Sequence, residues 1–131
     1  MIKIYHYKTR VYYEDTDAGG IVYYANYLKF IERARTEMIY AQFKKTHKQL
    51  KEIYDIVFVV RSCNSKFHKS ALFEDELIVD TKILKKTAVR LNLLQEVKRK
   101  NELLVSSEVE LAVIDKKGSV RKLPEDLLQK L

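Results

Sequence analysis

Val11-Tyr12-Tyr13-Glu14-Asp15-Thr16-Asp17-Ala18-Gly19-Gly20-Ile21-Val22-Tyr23-Tyr24-Ala25-Asn26-Tyr27-Leu28-Lys29-Phe30-Ile31-Glu32-Arg33-Ala34-Arg35-Thr36-Glu37 is the stretch in which the chain changes its periodicity. Up to its first residues, Tyr5, Tyr7, Thr9, Val11 and Tyr13 alternate with Lys8, Arg10 and Glu14. A period of two is that of a strand with one buried face, expected here over residues 3–14. Gly19-Gly20 breaks the alternation. Beyond it, Tyr27, Phe30/Ile31, Ala34, Met38 and Ala41 recur at steps of three and four, and Lys29, Glu32, Arg33, Arg35 and Glu37 mostly fill the other face. This spacing predicts one long amphipathic helix, from about Ile21 to about Leu50.

The remainder reads as strands. Ile56-Val57-Phe58-Val59-Val60 is a continuous apolar run, followed in alternation by Cys63, Ser65 and Phe67. Leu77, Val79, Thr81 and Ile83 suggest a further strand; Val89, Leu91, Leu93, Gln95 and Val97 another. Leu103, Val105, Ser107, Val109, Leu111 and Val113 give the clearest period-two run. Asn101-Glu102 reads as a tight hairpin and Lys117-Gly118 as a turn. Pro124 before Glu125 and Asp126 suits the first turn of a short helix, where proline loses no hydrogen bond and acids favour the dipole. Consecutive strands on short turns are antiparallel. The expected fold class is therefore α+β: a curved antiparallel sheet of about five strands around one long helix. Open sheet edges invite pairing between copies, so a homodimer or higher assembly is expected.

The chain has 131 residues, the size of one domain spanning 1–131, and 47% of them are hydrophobic. A single cysteine, Cys63, excludes an internal disulfide. The start, Met1-Ile2-Lys3-Ile4-Tyr5-His6, has no apolar core of signal-peptide length, and no run approaches the ~18 apolar residues of a membrane span. The expectation is a cytoplasmic protein without stable membrane insertion. The net charge of +7 alone would fit nucleic acid, but the basic residues are dispersed apart from Lys98-Arg99-Lys100, and no basic-aromatic stripe accompanies them. No nucleic-acid partner is expected. His6, His47 and His68 have no second ligand at metal spacing, so no metal site is expected.

Chemistry concentrates at Asp17. Two glycines after it allow a tight reversal and close approach of a ligand to backbone. The helix that follows presents unpaired N–H groups and the positive end of its dipole. A carbonyl oxygen placed there would be polarised, while the carboxylate acts as nucleophile or as general base for water. The same residue pattern also fits an Asp that only forms the turn or caps the helix.

The quoted stretch resembles the active-site signature of the hotdog-fold acyl-CoA thioesterases. It is similar to the Tol-Pal-cluster-associated type within the 4-hydroxybenzoyl-CoA thioesterase family, with Asp17, Gly20, Val22, Asn26-Tyr27 and Glu32-Arg33-Ala34-Arg35 in step. Val59-Val60-Arg61-Ser62-Cys63 and Phe73-Glu74-Asp75-Glu76-Leu77 resemble later family segments. The resemblance implies the hotdog fold, hydrolysis of an acyl-CoA thioester, no cofactor, and a homodimer assembling to a homotetramer. Asp17 would be the catalytic carboxylate, with Tyr13 beside it, and backbone N–H groups near Val22 to Tyr24 would polarise the carbonyl. Gly20, Ile21, Val22, Tyr23, Val60, Arg61 and Ser62 would line the substrate. Many relatives of this type have histidine where this chain has Tyr24, and a tyrosine, with a pKa of about 10, is no base near neutral pH. That departure keeps a second reading open: a module that binds acyl-CoA or acyl-carrier protein without hydrolysing it. Lys66, Lys69, Lys85, Lys86 and Arg90 are candidates for the CoA phosphates.

Overall fold

The computed structural model describes residues 3–131; Met1 and Ile2, the first two residues of the expected unit, lie outside them. Five strands form one antiparallel sheet: β1 (Tyr5–Arg10), β2 (Val57–Phe67), β3 (Glu76–Lys86), β4 (Arg90–Arg99) and β5 (Glu102–Ile114), in the spatial order β1-β3-β4-β5-β2. The expected α+β class, a long helix wrapped by a curved antiparallel sheet, is what the chain adopts. Helix α1 (Asn26–Phe43) lies against the concave face. It buries Tyr27, Phe30, Ile31, Ala34, Met38, Ile39 and Phe43. Leu77 and Val79 of β3, Leu91, Leu93 and Val97 of β4, and Val105, Val109, Leu111 and Val113 of β5 complete that core. Each large side chain withdrawn from water here contributes roughly 1.5–3 kcal/mol.

Three local expectations are corrected. The first strand ends at Arg10, and Tyr13–Asp15 instead forms a single 3-10 turn. Its backbone bends because Asp15 reaches back to the Tyr12 N–H (2.9 Å). The long helix begins at Asn26, five residues later than expected. Ile21 and Val22 are extended there, bridged to Leu72 and Thr16. The helix also stops at Phe43. Lys44 adopts a left-handed conformation (φ 55°), and a second helix, α2 (His47–Tyr54), starts afresh. Thr46 and Gln49 form a reciprocal capping box that holds this restart. The short helix after Pro124, α3 (Glu125–Leu128), forms where expected.

Candidate active site

Residues 15–27 form a compact loop because two buried polar groups tie its ends. The Asp15 carbonyl accepts the Tyr23 N–H (2.9 Å) and the Asn26 side-chain amide (2.8 Å). Inside that frame, Asp17 N–H donates to the Ile21 carbonyl (2.9 Å) and Gly20 N–H to the Asp17 carbonyl (3.0 Å). The Asp17 Oδ1 accepts the Gly19 N–H at 2.8 Å. Asp17 thus does form a turn, yet its Oδ2 receives no donor from the described residues, and the side chain is exposed. Both glycines are needed here. A Cβ on Gly19 would stand 3.2 Å from Asp17 Oδ1, and Gly20 takes φ +81°.

Across from this loop, Val22 N–H donates to the Ala71 carbonyl (2.9 Å), and Ala71 N–H donates to the Tyr27 hydroxyl (2.9 Å). Burial raises the Tyr27 pKa against the lowering by that N–H, so it remains a neutral phenol. Phe67, the last residue of β2, packs on Tyr24 and Tyr27 with ring centroids 5.8 and 5.9 Å away. Together Asp17, Ile21, Val22, Tyr24, Tyr27, Phe67, His68, Lys69 and Ser70 line an open cavity of about 200 Å³.

The backbone donors around this cavity are not equivalent. Val22 and Tyr23 N–H groups are already spent on Ala71 and Asp15. Asn26, Tyr27 and Leu28 N–H groups donate to the carbonyls of Tyr23, Tyr24 and Ala25. Between them, the N–H groups of Tyr24 and Ala25 donate to no described residue, and no side chain caps α1. Tyr24 lines the cavity that Asp17 lines. The arrangement can therefore present a free carboxylate oxygen and a free N–H at a helix start to one bound group.

Other sequence candidates fall elsewhere. Tyr13 is 79% exposed and stacks edge-on with Phe73, outside the cavity wall. Val60, Arg61 and Ser62 lie on β2 at a bulge, also away from it. Arg61, expected to line the substrate, is paired with Glu110 at 2.9 Å. Lys69 reaches the cavity but its ammonium is held by Glu102 at 2.6 Å. His68 meets Ser106 (3.1 Å), and Cys63 is an exposed thiol 3.5 Å from Ser65. A larger groove of about 900 Å³, between Arg10, Glu76 and Arg99, does not include the Asp17 loop. Sequence reasoning missed Asp15, Asn26, Tyr27, Phe67 and Ser70 as builders of the site. Asn26 and Tyr27 sit within the quoted stretch, so their pattern offered a signal; Ser70 and Ala71 offered none.

Residues 11–131 match the model of the thioesterase-like superfamily. The chain belongs to this superfamily. The thioesterase-like chain is 36% identical over 127 residues to the acyl-CoA thioester hydrolase YbgC of Escherichia coli O6:H1, covering 95% of this chain and 93% of that one. It is 42% identical over 90 residues to the acyl-CoA thioesterase YbgC of Helicobacter pylori, covering 69% and 64% of the two chains. A probable thioesterase from Bartonella henselae superimposes with a TM-score of 0.88 at 31% identity, over 93% of this chain and all of that one. The fold of this thioesterase-like chain is accordingly the one the resemblance implied.

Proposed function

We propose that this protein hydrolyses acyl-CoA thioesters to a free carboxylic acid and CoA. The observation that carries the reading is the pairing, on one cavity, of the unbonded Asp17 Oδ2 with the undonated Tyr24 N–H. The thioester carbonyl oxygen accepts the Tyr24 N–H, so negative charge developing on it meets the positive end of α1. Asp17 supplies the carboxylate, either drawing a proton from water as it attacks or attacking the carbonyl itself to give an acyl-Asp17 anhydride that water then opens. In both routes the C–S bond breaks, CoA leaves as thiolate and takes up a proton, and the acid takes the oxygen of water. The Tyr24 side chain needs no role as a base, because its backbone does the polarising. The acyl-CoA activity carried by the names of the relatives supports this reading. A thiol-release assay over short, long, branched and aromatic acyl-CoAs tests it. Asp17→Asn should lower turnover by roughly 10²- to 10⁴-fold, the usual worth of such a group; an unchanged rate would overturn the assignment of Asp17.

The working form we infer is a homodimer, with two dimers assembling to a homotetramer. Among the described residues β2 pairs with β5 on one side only, and the strand carries Val59, Val60 and Phe67 at 37–50% exposure along its 11 residues. A long edge with apolar side chains is stable in water when it pairs with a second copy. Phe67 lies on that edge and on the cavity, so the partner would close the site.

A further inference from the structure

The buried residues of the sheet's concave face are apolar except along one line. Tyr5 of β1 stands opposite Thr81 of β3, Thr81 opposite Gln95 of β4, Gln95 opposite Ser107 of β5, and Ser107 opposite Ser65 of β2. This polar row crosses all five strands at one level, with α1 over β1, β3 and β4. Its neighbours are Val79, Val97, Val105 and Phe67 on one side, and Ile83, Leu93, Val109 and Cys63 on the other. Thr81, Gln95 and Ser107 are fully buried, a costly choice where valine would fit, unless each is hydrogen-bonded. They are: Gln95 Nε2 donates to Thr81 Oγ1 (2.9 Å) and to the Ile31 carbonyl (2.9 Å), and the Ser107 and Ser65 hydroxyls meet at 2.7 Å. The row is closed at Tyr5, which donates to Gln42, and reaches the open β2 edge at Ser65.

One charge joins it. Arg35 comes down from α1 and donates through Nη1 to Gln95 Oε1 (3.0 Å). It makes no second hydrogen bond and meets no carboxylate among the described residues; Glu32, one turn earlier, bonds Thr36 instead (2.9 Å). Burial lowers the Arg35 pKa by more than the nearby Glu32 charge raises it, yet a guanidinium keeps its proton at any physiological pH. A half-buried cation with most of its donors free is expensive to keep. Its fork geometry matches a carboxylate.

The catalytic cavity lies one row away. Phe67 lines that cavity, and Ser65, two residues earlier on the same face of β2, carries the polar row. We propose that Arg35, with Ser65 at the mouth of the row, binds an anionic group at the far end of the acyl chain, so that the favoured substrates are CoA thioesters of short dicarboxylic acids. The step from one row to the next along β2 is about 7 Å, which suits a diacid of roughly five to seven carbons, its two carboxyl carbons included. The proposal rests on the thioesterase reading and deepens it.

Thiol release with glutaryl- and adipyl-CoA against valeryl- and hexanoyl-CoA tests it, each rate corrected for spontaneous hydrolysis. The wild-type protein should favour the anionic member of each pair by tenfold or more in kcat/KM. Arg35→Met should cut that ratio at least tenfold, mainly through KM, and Arg35→Lys should restore part of it. If valeryl- and hexanoyl-CoA are hydrolysed without any preference for the diacid thioesters, the proposal falls while the thioesterase reading stands. The wild-type ratio decides this even if Arg35→Met does not fold. An equal loss on charged and neutral substrates in a folded Arg35→Met variant would make Arg35 a structural cation and overturn its role. No thiol from any member of the panel, nor from the wider acyl panel, would overturn the thioesterase reading itself.

Discussion

Tyr27 shows how a single side chain can serve packing and site geometry together. Its ring is buried against Phe30 and Phe67, and its hydroxyl is the acceptor for the Ala71 N–H. Ala71 is fully buried, and its carbonyl in turn holds the Val22 N–H. Tyr27→Phe keeps the ring and removes the acceptor, leaving a buried N–H unpaired. Urea unfolding should show a loss of about 1–3 kcal/mol. Thiol release should fall as well, because the wall that fixes Ile21 and Val22 loosens.

At the scale of elements, two devices hold segments that propensity alone would not place. The first is the restart of helix at Thr46. Thr46→Ala removes the acceptor for the Gln49 N–H and should cost about 1 kcal/mol by chemical denaturation, with fraying confined to α2 by hydrogen exchange. The second is the ion cluster under the segment 70–75. Arg99 bridges Asp75 (2.8 Å) and Glu102 (2.5 Å), and Asp75 also accepts the Leu72 N–H (2.8 Å). Partial burial pushes the Asp75 carboxyl up, but the Arg99 guanidinium and the Leu72 N–H outweigh it and hold the pKa below the usual carboxylate range. The folded pKa is thus below the unfolded one. The stabilisation is fully present above the unfolded value, about pH 4, and is lost as pH falls through the folded value. Asp75→Asn should therefore be less stable than wild type at pH 7, and that gap should shrink as unfolding is measured below about pH 4. A gap independent of pH would remove the charge from the account.

For the whole molecule, the unpaired β2 edge is the decisive surface. Val60 is 48% exposed on it, on the same face as Phe67, and away from the Asp17 cavity. Val60→Asp places a charge where a second copy would dock. Sedimentation velocity should show the variant as a monomer, and thiol release should drop although Asp17 and Tyr24 are untouched. A monomeric variant with full activity would show that one chain completes its own site.

Periodicity alone carried the fold class. An alternating pattern at Leu103 to Val113 has only one way to bury its apolar face, and the three- and four-residue steps from Tyr27 to Met38 likewise permit only a helix on that sheet. The quoted motif likewise marked Asp17 and the helix start after it. What it left open was decided by contacts between residues far apart in the chain. Ile21 and Val22 are extended because Ala71 and Leu72 offer a bridge, which spends the Val22 N–H while that of Tyr24 keeps no partner among the described residues. Arg61 turned to Glu110 and Tyr13 to Phe73 because partners from β5 and the 68–75 segment were there. The alignment of Tyr5, Thr81, Gln95, Ser107 and Ser65 into one row depends on four strand registers, including the bulge between Val60 and Ser62. A local pattern encodes which face of an element is apolar. Which residue of another element comes to lie opposite it is settled only when the registers lock.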